Sequence, residues 1–191
     1  MRRIATVSSV IAFGFLATGC VSVTANEYGA PMTPRATTTS SATSSLIGAQ
    51  GQTVGQATLT QGPTGVLIRI EATGMTPGWH GVHIHATGQC DAPFTSAGAH
   101  VNHTEPKAAH GLLNMAGPDD GDLPNIYAHA DGTISAQLFT TQARLVDGAP
   151  GQGLLDADGS AIVIHASADD HMAQPIGGAG ARVACGVIRP Q

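Results

Sequence analysis

A chain of 191 residues has room for one domain with flanking segments and one substantial core. Only 11% of its residues are charged and 4% aromatic, and its 25 Gly and 11 Pro favour many turns over long helices. The formal net charge of −5, with no basic patch to balance it, argues against nucleic acid as a partner.

Residues 1–19 read as an export signal. Arg2 and Arg3 form its charged start, and the apolar run Val10–Leu16 is too short to span a bilayer. The run ends Leu16-Ala17-Thr18-Gly19-Cys20, small residues before a cysteine, as in a bacterial lipobox. Ala17 stands where such signals usually carry Leu. Cys20 is then the expected lipidated N-terminus, and the expected location is the periplasm, anchored to a membrane through that lipid. Without the leader, 6 basic residues face 13 acidic ones, or about −7 by the same counting. With Cys20 lipidated, Cys90 and Cys185 remain, and an exported protein can join them.

Residues 20–47 are rich in Ser, Thr and Ala, including Thr37-Thr38-Thr39-Ser40-Ser41. Such a composition forms a core poorly and is expected to be a flexible tether. The folded domain is expected over 48–191. Within it, strand-length runs alternate with turn signals: Thr53–Thr60, Gly65–Ala72, Gly81–Ala86, Asn125–Ala130, Thr133–Thr140, Ala161–Ala166 and Arg182–Ile188. Asp131-Gly132 predicts a hairpin turn between two of them. With no long helical repeat, the expected class is all-β, a sandwich or barrel. Two stretches lack strand character, roughly 87–124 and 167–181, and long ordered loops in a small domain are usually functional.

The nine histidines are unevenly placed, and three fall in Gly78-Trp79-His80-Gly81-Val82-His83-Ile84-His85. Residues two apart in a strand share a face, so His83 and His85 point together, as a metal pair requires. Neutral imidazole suits copper and zinc. Further on come Cys90-Asp91-Ala92-Pro93, Gly98-Ala99-His100-Val101-Asn102, His110-Gly111, Gly121-Asp122-Leu123-Pro124, Val163-Ile164-His165-Ala166 and Gly180-Ala181-Arg182-Val183-Ala184-Cys185-Gly186.

In order, spacing and flanking residues these motifs resemble the Cu/Zn superoxide dismutase family, above all its bacterial periplasmic branch, over about residues 50–191. The resemblance implies a Greek-key β-barrel or sandwich of about eight antiparallel strands with two long functional loops. It implies dismutation of superoxide to oxygen and hydrogen peroxide at a redox-cycling copper. By position, His83, His85, His100 and His165 match copper ligands, with His100 bridging to zinc. His100, His110 and Asp122 match zinc ligands. Cys90 and Cys185 match the family disulfide, and Asp169 matches a carboxylate linking the two ligand sets. Arg182 matches the guanidinium that holds the anionic substrate, and with His100 it is the expected catalytic pair. The assembly is expected to be a monomer or homodimer.

The resemblance breaks at one position. Asp119 stands where the family carries a third zinc histidine. Either its carboxylate substitutes as a ligand, or it is an ordinary loop residue, and the expectation is weakened zinc binding with copper retained. Asp120 and His103 are weaker stand-ins. His80 is expected to be structural, His103 and His129 to lie on the surface, and His171 to sit at the channel rim. Lys107, the only lysine, is either a steering charge or a solvated loop residue. The rival reading is a non-catalytic periplasmic copper-binding protein on the same fold.

Overall fold

Val66-Leu67-Ile68-Arg69-Ile70-Glu71-Ala72 alternates strictly, and the computed structural model, which describes residues 40–191, buries Val66, Ile68, Ile70 and Ala72 while Leu67, Arg69 and Glu71 face out. That period of two is the signature of a strand with one wet face. The described strands are β1 (Ser41–Gly48), β2 (Thr53–Gln61), β3 (Val66–Ala72), β4 (Gly78–His80), β5 (Val82–His85), β6 (Ile126–Ala128), β7 (Ile134–Thr140), β8 (Ala143–Arg144), β9 (Gln152–Gly153), β10 (Ala161–His165), β11 (Arg182–Val187) and β12 (Arg189–Pro190). Among the described residues the only helix is one 3₁₀ turn, Thr95–Ala97.

The main sheet runs β5-β10-β11-β1-β2-β3-β7, with β12 also paired to β1, and all its pairings are antiparallel. From β3 the chain passes through β4 to β5 at the far edge. It returns through β6 to β7 beside β3, and then crosses again to β10. These crossings give the Greek-key connectivity that the resemblance implies. The short pair β8–β9 is parallel, a departure from the all-antiparallel expectation.

Residues 1–39, with the predicted signal and Cys20, lie outside the described residues. The expected tether, 20–47, runs too far. Ser41–Gly48 is an interior strand between β2 and β11. Its Ser/Thr content hides an alternation in which Ala42, Ser44 and Leu46 are buried. Small residues suit a strand whose inner face lies under its neighbours, and Thr is at home in a sheet. The Asp131-Gly132 turn also differs from a simple hairpin. His129 and Thr133 close it by a 2.8 Å bond, but β6 pairs with β4 whereas β7 pairs with β3. The turn therefore carries the chain from one sheet to another.

The core is built by Leu46, Leu59, Ile68, Ile70, Ile84, Leu123, Ile126, Ile162 and Ile164. Truncating one such Ile or Leu to Ala costs about 2–5 kcal/mol. Strand β10 is buried on both faces. Ile162 and Ile164 join this core, while Ala161 and Val163 pack with Phe94, Ala97 and Cys185 in a second cluster. The Cys90–Cys185 disulfide, its Cα atoms 5.6 Å apart, ties that cluster's loop to β11. Bridging residues 95 apart contributes on the order of 2–5 kcal/mol.

The free edge of β5 is covered by the first long loop. Ala86 N–H donates to Ala99 O, Val101 N–H to Ile84 O, and Ile84 N–H to Gly121 O, each at 2.9 Å. Isolated bridges pair His85 with His100 and His83 with Asp122. Backbone approach is so close that a Cβ on Gly121 would meet Ile84 O at 2.3 Å, so only glycine fits there. The loop is thereby held beside the His-x-His strand.

Candidate metal centre

Two strands and one loop residue bring four imidazoles together. Val82–His85 presents His83 and His85, the end of β10 presents His165, and the loop bridged to β5 presents His100. All four are buried, and one nitrogen from each lies within 4.8 Å of the others.

The ring nitrogens are sorted by their hydrogen bonds. His83 Nε2 donates to Asp169 Oδ2 at 2.9 Å, His85 Nδ1 to Gly98 O at 2.9 Å, and His165 Nδ1 to Gly180 O at 3.0 Å. His100 Nδ1 donates to Asp119 Oδ2 at 3.0 Å. The opposite nitrogens, His83 Nδ1, His85 Nε2, His100 Nε2 and His165 Nε2, are buried with no hydrogen-bond partner. Buried polar atoms without partners are rare in folded proteins. Four that face one another are the donor set of a metal ion. Such outer acceptors fix the tautomer of a ligating histidine.

Burial drives His83 down to about 4, against the opposing pull of Asp169, and His85 to about 2, helped by the nearby charge of His100. Burial also lowers His165. These rings are neutral at physiological pH, as ligands must be. Burial works against protonation of His100 too, but hydrogen bonds to Asp119 and Asp122 prevail and raise it to about 9.

A second group adjoins the first: His100, His110, Asp119 and Asp122, again with one donor atom each within 4.8 Å. His110 Nδ1 lies 2.5 Å from Asp122 Oδ1, and His100 Nδ1 lies 3.5 Å from the same oxygen. Asp119 is buried and fixed by its own turn: Oδ1 accepts Gly121 N–H at 3.0 Å, and its N–H donates to Asp122 Oδ2 at 3.0 Å. It is therefore not an ordinary loop residue. Burial raises its carboxyl, with the bond from His100 opposing. Burial also pushes Asp122 up, but His100, the Gly111 N–H and His110 hold it below the usual range. Asp120 instead accepts the backbone N–H of exposed His103, and neither residue joins this group.

Asp169 connects the two groups. Its Oδ2 accepts from His83 and its Oδ1 from His110 Nε2 at 3.1 Å and from the His171 N–H at 2.7 Å. Burial pushes this carboxyl up, but those bonds outweigh it and hold Asp169 well below the usual carboxylate range. Asn125 fixes its backbone, accepting Asp169 N–H at 2.9 Å and donating to Asp169 O at 2.8 Å.

A cavity of about 610 Å³ opens onto His85, His100, Asp119 and Arg182. The Arg182 guanidinium is held by Phe94 O at 2.5 Å and Gly98 O at 2.7 Å, and burial lowers its pKa. Exposed Lys107 also lines the cavity, reaching back to Asn102 O. His80 is buried between Thr76 O and His165 O, as a structural residue would be, and His129 is exposed. His171 does not line the cavity, contrary to the expectation of a rim position. It packs against Asn125, with Nδ1 3.2 Å from Asp169 Oδ2 at an angle that makes no hydrogen bond. The carbonyls of Gly98 and Gly180, the Asn125 side chain and the Phe94 contact were missed from sequence. Backbone carbonyls carry no side-chain signal.

A Greek-key β fold with adjoining four-imidazole and mixed imidazole–carboxylate sites, tied by a shared carboxylate and opening onto a guanidinium, defines a two-metal β-barrel protein. The chain belongs to the copper/zinc superoxide dismutase family, whose model matches residues 53–188. It is 53% identical over 150 residues to a Cu-Zn superoxide dismutase of Caulobacter vibrioides, covering 78% of this chain and 86% of that protein. It is 42% identical over 146 residues to Cu-Zn superoxide dismutase 2 of Aquifex aeolicus, covering 75% and 84%. Among solved structures, a SOD-like protein from Bacillus subtilis is similar with a TM-score of 0.71 at 35% identity, covering 76% of this chain and 96% of that one. The Cu/Zn superoxide dismutase from Brucella abortus gives 0.64 at 27% identity, covering 78% and 99%.

Proposed function

We propose that this protein is a superoxide dismutase, with His83, His85, His100 and His165 holding copper and His100, His110, Asp119 and Asp122 holding zinc. The observation that carries the copper assignment is the set of four buried imidazole nitrogens with no other partner. Copper bound there supplies a one-electron couple that superoxide can both reduce and oxidise, and zinc supplies fixed positive charge beside it.

The chain's own residues do the rest. Asp169, Gly98 O and Gly180 O hold His83, His85 and His165 in the tautomers that leave the inward nitrogens bare. Arg182 offers a fixed cation in the cavity wall and draws the small anion to the open side of the site. Net negative charge repels superoxide only weakly beyond a Debye length of about 8–10 Å, so this local charge prevails at short range. His100 lines the same cavity, and its Nε2 would hold either copper or, when released from it, a proton for the departing peroxide.

The non-catalytic copper-binding alternative is less favoured, because binding alone has no use for a guanidinium in the cavity wall. We further propose export, cleavage after residue 19 and lipidation of Cys20, giving a periplasmic membrane-anchored protein. The Leu16–Cys20 motif supports this, and the Cys90–Cys185 disulfide suits an oxidising compartment. Copper- and zinc-supplied protein should consume superoxide catalytically and release hydrogen peroxide, and His85→Ala should lose most copper and nearly all turnover. Normal copper content in His85→Ala would remove the proposed ligand set.

A further inference from the structure

The second long loop carries a side chain that treats the backbone of His110 as a strand neighbour would. Gln174 Oε1 accepts the His110 N–H at 3.0 Å, and Gln174 Nε2 donates to His110 O at 2.8 Å. One amide thus takes both backbone groups of one residue, 64 positions away and outside any strand. Its Nε2 also reaches Met172 O at 3.1 Å, which anchors the amide to its own loop.

His110 is demanding to place. It is buried, and its ring is stretched between two carboxylates, with Nδ1 on Asp122 and Nε2 on Asp169. Asp122 and Asp169 belong to different loops. The ring can meet both only if the first loop is held at one height against the second. Gln174 provides that fixture on the residue itself. A bond from Leu113 N–H to His171 O at 3.1 Å ties the loops further along.

We infer that Gln174 is a positioning residue for the second metal centre, fixing the His110 backbone so that its ring can serve that site. The inference rests on the reading that His100, His110, Asp119 and Asp122 hold a metal. Its effect is selective. His110 belongs to the imidazole–carboxylate group and not to the four-imidazole group. Loss of the clamp therefore weakens zinc while leaving copper in place, whereas general loosening of the loops would weaken both.

Gln174→Met is the sharp test, since it keeps length and bulk but removes both hydrogen bonds to His110, together with the one to Met172 O. Gln174→Ala removes the bulk as well. Two readouts are needed: hydrogen exchange of the His110 amide in metal-free protein, and copper and zinc affinities by chelator competition. In both variants the His110 amide should lose its protection and zinc affinity should fall about 10–100-fold, with copper affinity within about twofold of the parent. Should Gln174→Ala not fold, Gln174→Met decides. A folded Gln174→Met variant with parental zinc affinity, or one that weakens copper and zinc equally, overturns the inference. A parent protein that protects the His110 amide but binds no zinc overturns the metal-site reading instead, and the positioning role with it.

Discussion

Replacing Asp169 by Asn removes one charge and almost no volume, yet it should disarm His83, a proposed copper ligand that Asp169 holds by the opposite ring nitrogen. The carboxylate accepts on both oxygens: Oδ2 from His83 Nε2, and Oδ1 from His110 Nε2 and the His171 N–H. An amide has one acceptor oxygen. With that oxygen kept on the Oδ1 side, where two donors converge, the NH₂ group faces His83 Nε2. Two donors then oppose each other, and His83 relieves this by moving its proton to Nδ1. That atom is one of the four bare nitrogens of the copper set. Changes to such outer partners typically cost 10–100-fold in metal affinity, or about 1.4–2.7 kcal/mol. The metal-free fold should lose about 1–3 kcal/mol as well, from replaced charge-assisted bonds at a buried site. Chelator competition gives the copper affinity, and nitrogen NMR of the imidazoles reports the His83 tautomer. Asp169→Asn protein with parental copper affinity and a bare His83 Nδ1 would refute the reasoning.

Arg182→Ala should lower turnover by roughly tenfold or more and flatten its dependence on ionic strength, with copper retained because no donor atom is lost; an unchanged rate at low salt would exclude the role. Asp119→His should tighten zinc by supplying a third imidazole, read by chelator competition and melting temperature; if the parent already holds zinc as firmly, the carboxylate is a full equal. Urea unfolding of metal-free protein should give greatest stability near pH 6.5. Below that, the unfolded chain takes up protons that His83 and His85, at about 4 and about 2 when folded, refuse, so stability falls as pH drops. His100, raised to about 9, contributes stability that is complete below its ordinary 6.5 and is lost as pH rises through 9. A flat profile from pH 4.5 to 9 would contradict both directions.

Local patterns in the sequence were enough for the strands that alternate cleanly, such as β3, and for the His83–His85 pair, whose spacing alone puts both on one face. The order of later motifs carried His100, His110, His165 and the two cysteines to the right neighbourhood. Strand β1 was obscured because its inward residues, Ala42 and Ser44, are small and its outward ones polar, so an interior strand has the composition of a linker. The fate of Asp119 depended on a turn that aims its carboxylate at His100, and on Gly121 lying against β5, neither of which has a local signature. Gln174 and Asn125 were silent for a related reason. Each acts on the backbone of a residue in the other loop, across a contact that exists only once the fold has formed.

Copper titration of the zinc-supplied, copper-free protein, with superoxide turnover and the Cu(II) electron paramagnetic resonance spectrum recorded at each addition, tests the central claim most directly. Turnover and the bound-copper signal should rise together and stop at one copper per chain, with nitrogen couplings from the His83, His85, His100 and His165 rings. Copper that saturates this site without turnover, or turnover from copper lacking those nitrogen couplings, would contradict the account.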